Sequence, residues 1–201
     1  GPVTSSSVDP SSRAFFDAKY RTAEDPWDFA IDPYELGRYR DVMVHVDPDR
    51  HRRVFEPGCS IGVLTEMLGG RCEVVDASDL SEVAVQRARR RCAHLPGVTI
   101  EVGHLSDPPA HNYELIVLSE VGYYLTEPEL ERAIEVLTER LTPGGRLIAA
   151  HWIGMSADHR LRGHRVHDLL ADALPTWVLA HHAVHLDESH DGYRLDVLDR
   201  P

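Results

Sequence analysis

Two acidic side chains flank a glycine turn in this chain, and their spacing limits what the turn can bind. Glu56 stands two residues before Gly58 in Val54-Phe55-Glu56-Pro57-Gly58-Cys59-Ser60-Ile61-Gly62, and Asp76 ends the run Val74-Val75-Asp76 twenty residues later. A dinucleotide turn, G-x-G-x-x-G, brings backbone N–H groups up to a pyrophosphate. Here the glycines are four apart, with Ser60 where a middle glycine would fall, and a carboxylate at position 56 repels a pyrophosphate. That carboxylate suits a ligand with a cationic end. An acid at position 76 can accept both hydroxyls of a ribose. Further along, Glu120, Tyr123 and Tyr124 follow the apolar run Leu115-Ile116-Val117-Leu118, and His151 follows Leu147-Ile148-Ala149-Ala150. A carboxylate or imidazole at such a position can orient a nucleophile and take its proton.

The elements that must position these groups follow from hydrophobic period and caps. Val54-Phe55 predicts a strand, and Val63, Leu64, Met67 and Leu68 predict a helix ended by Gly69-Gly70. Val74–Asp76 predicts a second strand, and Ala77-Ser78-Asp79 the cap of a helix through Glu82, Val85, Ala88 and Arg89. The cluster Arg87, Arg89, Arg90 and Arg91 reads as a solvated helix end that complements the macrodipole. Val98–Val102 is the third strand, with Gly103-His104-Leu105 beyond it. Residues 113–118 form the most continuous apolar run, as expected of a central parallel strand buried on both faces. Thr126-Glu127-Pro128-Glu129 caps the next helix, and Arg146–Ala150 is a fifth strand after the turn Pro143-Gly144-Gly145. A helix over Gly163–Ala173 and two terminal strands, over 177–186 and 193–198, complete the chain. Ahead of the glycine turn, a helix from Ser12 to about Tyr20 and another capped by Asp32-Pro33-Tyr34-Glu35 form a short leader. Over residues 12–50 this leader is expected to act as a helical lid that excludes water.

The glycine turn with Glu56 and Asp76, the leader residues Asp25-Pro26-Trp27-x-Phe29, Tyr34-Glu35 and Arg38-Tyr39, and the later Leu118-Ser119-Glu120-Val121-Gly122-Tyr123-Tyr124-Leu125 resemble the class I S-adenosyl-L-methionine (SAM)-dependent methyltransferases, in the branch like nodulation protein S. The likeness runs over roughly residues 12–155. It implies an α/β, Rossmann-like fold with a seven-stranded, mostly parallel sheet, an antiparallel C-terminal strand and helices on both faces. The chain length allows one such domain, over residues 12–201, and the Ser-rich start, 1–11, is expected to be a flexible tail. The likeness implies SAM as cofactor, with S-adenosyl-L-homocysteine as product. The implied cofactor positions are Trp27, Arg38, Glu56, Gly58, Cys59, Ser60, Gly62, Asp76, Ala77, Ser78, His104, Leu105, Ser119 and Glu120. The wider superfamily places an acid where this chain has His104, so a side-chain contact to the adenine there is in question. The acceptor implied is a small molecule, expected to be methylated on the nitrogen of an amine or amino sugar, since nodulation protein S methylates an amino group on a deacetylated chito-oligosaccharide. Glu120 or His151 is expected to orient the acceptor and take its proton, with Tyr123 or Tyr124 shaping its pocket. A small-molecule O-methyltransferase and a SAM-binding protein without catalysis are the alternatives. An NAD-dependent oxidoreductase is disfavoured by the glycine spacing and Glu56.

Composition narrows the partners. The 201 residues carry a formal charge of −12, which argues against a nucleic acid or an anionic membrane surface. No apolar run approaches ~20 residues, the length a membrane helix needs. Cys59, Cys72 and Cys92 are scattered without metal spacing and read as reduced thiols of a cytoplasmic protein, monomeric or homodimeric. Eight of the thirteen histidines follow residue 150, which raises the question of a metal. In a strand over 177–186, however, His182 shares a face with Val178, Ala180, Val184 and Leu186. His181 and His185 then fall on the other face, expected to be solvated, and no metal site is expected.

Overall fold

The apolar runs become one seven-stranded sheet in the order β3-β2-β1-β4-β5-β7-β6. In this computed structural model, which describes residues 9–201, the strands are β1 (Arg53–Pro57), β2 (Val74–Asp79), β3 (Val98–Val102), β4 (Tyr113–Ser119), β5 (Leu141–Trp152), β6 (Val178–Asp187) and β7 (Asp191–Asp199). The first five pair in parallel, and β7 runs antiparallel to both β5 and β6. Central strand β4 is buried almost throughout, as its continuous apolar run requires of a strand covered on both faces.

Helices α1 (Arg13–Thr22), α2 (Pro33–Val44), α3 (Val63–Gly69), α4 (Glu82–Arg91), α5 (Glu127–Glu139) and α6 (Gly163–Ala173) surround it. One core joins α2 and α3 to Val54, Val75, Leu115 and Val117; the opposite core joins α5 and α6 to Phe55, Ile116, Leu118 and Leu147. The alternation of odd and even residues along each strand divides the two layers. Helix starts follow their caps. Ser12, Asp32 and Thr126 accept the N–H groups of Phe15, Tyr34 and Glu129.

Four expectations are corrected. The cap expected at Ala77–Asp79 is the end of β2, paired with Ile100–Val102, and the true N-cap is Ser81. The sequence predicts a flexible tail over 1–11. Residues 1–8 lie outside the described residues, but Asp9 is tied down: its carboxylate meets Arg160 at 2.6 Å and accepts the Ser11 N–H at 2.9 Å. Arg87 is no solvated helix end. Its guanidinium donates to the carbonyls of Tyr20, Ala23 and Glu24 at 2.7–2.9 Å, satisfying acceptors that the end of α1 leaves open. Finally, of His181 and His185 only His185 is exposed, as expected; His181 is half-buried. A register shift at Ala180 lies between the pairs Leu179↔Leu198 and His181↔Val197. His181 packs on His45 at 4.4 Å and His185 stacks on Tyr193 at 4.7 Å, while Leu186 is left 80% exposed.

Candidate active site

The strand order reverses between β1 and β4, and connections there leave in opposite directions, opening a crevice at the carboxyl ends. A cavity opens there, at the position where small-molecule sites form in such sheets. Its floor is Glu56, Gly58, Cys59 and Ser60 after β1, Asp79 and Leu80 after β2, Gly103–Leu105 after β3, and Ser119, Glu120 and Val121 after β4. The leader supplies the other wall through Ser11, Phe16, Tyr20, Trp27, Phe29 and Tyr39.

The turn after β1 is shaped by two left-handed residues. Gly58 has φ +70°, and a Cβ there would lie 2.0 Å from Val121 Cγ1, so β1 and β4 approach as closely as they do only because residue 58 is glycine. Ser60 has φ 52° despite its side chain. Such strain persists where the surroundings over-determine it. Here the Ser60 N–H donates to Asp79 at 2.9 Å, and the buried Tyr20 hydroxyl donates to Ser60 Oγ at 2.6 Å. Beneath the turn, Thr65 donates to Glu56 at 2.6 Å. Burial pushes the Glu56 carboxyl up to about 8 and Asp79 up to about 6, the latter against N–H bonds from Ser81 and Ser60 that favour its charge. Both acids face the cavity, an arrangement that favours a cationic ligand over an anionic one.

Asp76 is a correction. It pairs in register with Phe55, so it faces the α5–α6 layer, where Tyr113 donates to it at 2.8 Å and Arg53 lies at 3.5 Å. It does not line the cavity; Asp79, three residues on, does. Sequence reasoning ended β2 too early because Ala77 and Ser78 are not typical strand residues. The signal that would have found Asp79 is the helix start at Ser81, which leaves 77–79 to the strand. Ala77 and Ser78 lie within β2, below the cavity, and the Ser78 carbonyl accepts the Cys59 N–H at 2.8 Å. Gly62 begins α3 with φ +86°, where a Cβ would meet Ala88 Cβ at 2.9 Å; its role is the close packing of α3 on α4.

At the other end of the cavity, Glu120 has φ 59° in the turn after β4. Its N–H donates to the Ala150 carbonyl, and its carboxylate accepts the Trp152 N–H at 2.7 Å. Burial pushes its carboxyl up to about 7, opposed by Arg38 and reinforced by Glu35. Arg38 lies one layer behind the wall formed by Tyr39 and Phe29, at 3.5 Å from Glu120 and in contact with Glu35. None of its guanidinium nitrogens has a well-aligned hydrogen bond, and the buried Ser119 Oγ on the cavity surface also lacks a partner. Tyr124 lines the cavity and meets Phe16 edge-on at 5.0 Å, whereas Tyr123 turns into the α5–α6 core. His104 and Leu105 line the adjoining wall, with His104 Nδ1 bonded to Ser106 at 2.8 Å. His151 is the second correction. It is wholly buried, outside the cavity, and bonded to His167 at 2.9 Å. The end of β5 points it under the turn rather than into the crevice. Among the described residues, no group of three or more His, Cys, Asp or Glu side chains is arranged to hold a metal ion, and no helix is long and apolar enough to cross a membrane.

Comparison with known proteins now bears on the cavity. The sequence pattern of the nodulation protein S (NodS) family matches residues 15–174. A nodulation protein S from Rhizobium tropici is 32% identical over 131 residues, which cover 63% of this chain and 54% of that protein. The chain thus matches about half the length of this relative. Among solved structures, the N-methyltransferase NodS from Bradyrhizobium japonicum WM9, in complex with S-adenosyl-L-homocysteine, superposes with a TM-score of 0.84 at 21% identity, covering 96% of this chain and 100% of that one. A protein from Pseudomonas syringae described as a candidate methyltransferase superposes with a TM-score of 0.70 at 32% identity, covering 83% and 99%.

Proposed function

This chain belongs to the nodulation protein S family, and from that premise we propose that it transfers the methyl group of S-adenosyl-L-methionine to a nitrogen of a small-molecule amine. The observation that carries the amine reading is Glu120, a largely buried carboxylate (side chain 12% exposed) facing the same cavity as Asp79.

The residues present fit the cofactor. Asp79 would accept the ribose hydroxyls, Gly103–Leu105 would border the adenine, and Glu56 with the unpartnered Ser119 Oγ would meet the ammonium end. Bound SAM supplies a sulfonium-activated methyl group. The acceptor nitrogen displaces the neutral sulfide in line, so a C–N bond forms as the C–S bond breaks, and alignment is the main demand on the protein. Glu120 takes the proton the nitrogen gives up. With its carboxyl pushed up to about 7, it can hold that proton near neutral pH. The Trp152 N–H and Arg38 fix its orientation. Phe16, Tyr20 and Trp27 roof the cavity, and the leader over residues 12–50 acts as a lid that keeps water from the reacting atoms.

Calorimetric titration with SAM and S-adenosyl-L-homocysteine, followed by a SAM-turnover screen over amines, amino sugars and phenols, tests this reading. Turnover on an amine supports it. Turnover confined to phenols or other hydroxyls would overturn the nitrogen assignment. Cofactor binding without turnover on any acceptor would favour a non-catalytic SAM-binding protein.

A further inference from the structure

Beneath the turn that carries Glu120 lies an unbroken row of buried polar groups that the proposed chemistry does not touch. His151 Nε2 faces the backbone N–H groups of Gly122 at 3.1 Å and Val121 at 3.4 Å. His151 Nδ1 lies 2.9 Å from His167 Nε2, and His167 Nδ1 lies 2.8 Å from Asp196. Asp196 also meets His182 at 2.5 Å and Arg194 at 2.9 Å. His151, His167 and Asp196 are 0%, 1% and 4% exposed.

The direction of every bond follows from donor and acceptor inventories alone. A backbone N–H can only donate, so His151 Nε2 must accept, and its proton must sit on Nδ1. That proton is then given to His167 Nε2, which leaves the His167 proton on Nδ1. At the far end an ionised Asp196 can only accept, which independently puts the His167 proton on Nδ1. The two ends demand the same answer. Both imidazoles are neutral and protonated on Nδ1.

The row anchors a turn that is strained. Glu120 has a left-handed backbone, and residues at the end of β5 hold it at three points: the Ala150 carbonyl, His151 Nε2 and the Trp152 N–H. Gly122 has no room to drift, since a Cβ there would lie 2.6 Å from Val166 Cγ1 and 3.4 Å from His151 Nε2. The geometry points to His151, His167 and Asp196 as a directed positioning relay that fixes the Glu120–Tyr124 turn, and with it the acceptor end of the cavity. The kinetic part of this inference rests on the proposed methyl transfer; the proton placement does not.

Two measurements test it. Long-range proton–nitrogen spectra of the uniformly labelled protein should show both rings unprotonated at Nε2, each assigned by its loss in H151L or H167F. A proton on Nε2 of either ring overturns the relay. In H151L and H167F, turnover should fall by about tenfold or more while SAM affinity stays within about twofold, the split expected when only acceptor alignment is lost. His151→Gln, whose amide oxygen can accept the Gly122 N–H, should recover part of the turnover. Unchanged turnover, or parallel loss of turnover and SAM affinity, overturns the positioning role. If the protein turns over no acceptor, the Gly122 amide decides. Slow hydrogen exchange there that is lost in H151L upholds the anchor, and exchange equally fast in both overturns it. Should H167F not fold, D196N replaces it with the same expectations.

Discussion

Asp79 accepts the backbone N–H of Ser60 at 2.9 Å, so the acid at the end of β2 also holds the left-handed turn after β1. Under the proposed function, cofactor recognition and turn geometry share one carboxylate. Asp79→Ala is expected to weaken SAM binding by about 1.5–3 kcal/mol, the scale of a lost charge-assisted hydrogen bond. Asp76→Ala, which removes the partner of Tyr113, should lower the melting temperature and leave SAM affinity nearly unchanged. Titration calorimetry on both variants checks the pair, and the reverse ranking would restore Asp76 as the ribose acid.

Glu120→Gln keeps the shape of the side chain and its bond from Trp152 while removing the proton acceptor. Turnover should fall by roughly 10²–10⁴-fold, the usual worth of a general base, with SAM affinity little changed. In the wild type, turnover should rise with pH through about 7 as the Glu120 carboxyl ionises. This limb should vanish in E120Q. A variant with an unaltered pH profile would remove Glu120 from the proton step.

The ligand-free protein should be most stable near pH ~7 and lose stability on both sides. Burial raises the Glu120 and Glu56 carboxyls to about 7 and about 8. A raised acid contributes stability that is full below its unfolded value and is lost as pH climbs through the folded one. Burial lowers His51 and His159 to about 4, and lowers His151 and His167 as well. A depressed histidine contributes stability above its unfolded value, lost as pH falls through the folded one. Thermal melts from pH 5 to 9 read both limbs. SAM should raise the melting temperature more at pH 8.5 than at pH 6, because its cationic end favours the ionised carboxylates. A stabilisation that shrinks with pH would refute the charge argument.

Arg87 carries three hydrogen bonds to the end of α1, and Asp17 adds a bond from Ser81. Arg87→Ala should loosen α1 without disturbing the sheet. Hydrogen exchange over residues 13–22 should quicken, and bound cofactor should dissociate faster, while the protein's melting temperature moves by only a few degrees. Protection of α1 equal to the wild type would show that the leader is held by its aromatic contacts alone.

The sheet was legible because its signals are local. β1, β3 and β4 are short apolar runs bounded by turns, and α5 and α6 have the apolar period of helices packed on one face. The glycine turn and the position of Glu120 at a strand end were readable for the same reason. Asp79 and the leader's Tyr20 were not, since their importance depends on where β2 ends and on how α1 crosses the crevice. His151 was misread because a strand end alone does not tell which way its last side chains point. Its partner His167 lies 16 residues further along, and Asp196, which bonds His167, lies 45 residues along; the three come together only through the pairing of β5 with β7 and the packing of α6.

The placement of β7 between β5 and β6 has a consequence for how the molecule is made. β6 is synthesised first but has no neighbour in the sheet until β7 follows it and pairs on both sides. Growth of the sheet at this edge therefore cannot keep pace with the emerging chain. β6, with Val178, Leu179 and Leu186 uncovered, must wait unpaired, open to contact with other chains and with chaperones. Asp196 lies on β7 and anchors His167 and His182. The step that closes the sheet therefore also delivers the carboxylate beneath the Glu120 turn, so that a nascent chain acquires its fold's outer edge and the buried anchor of that turn together.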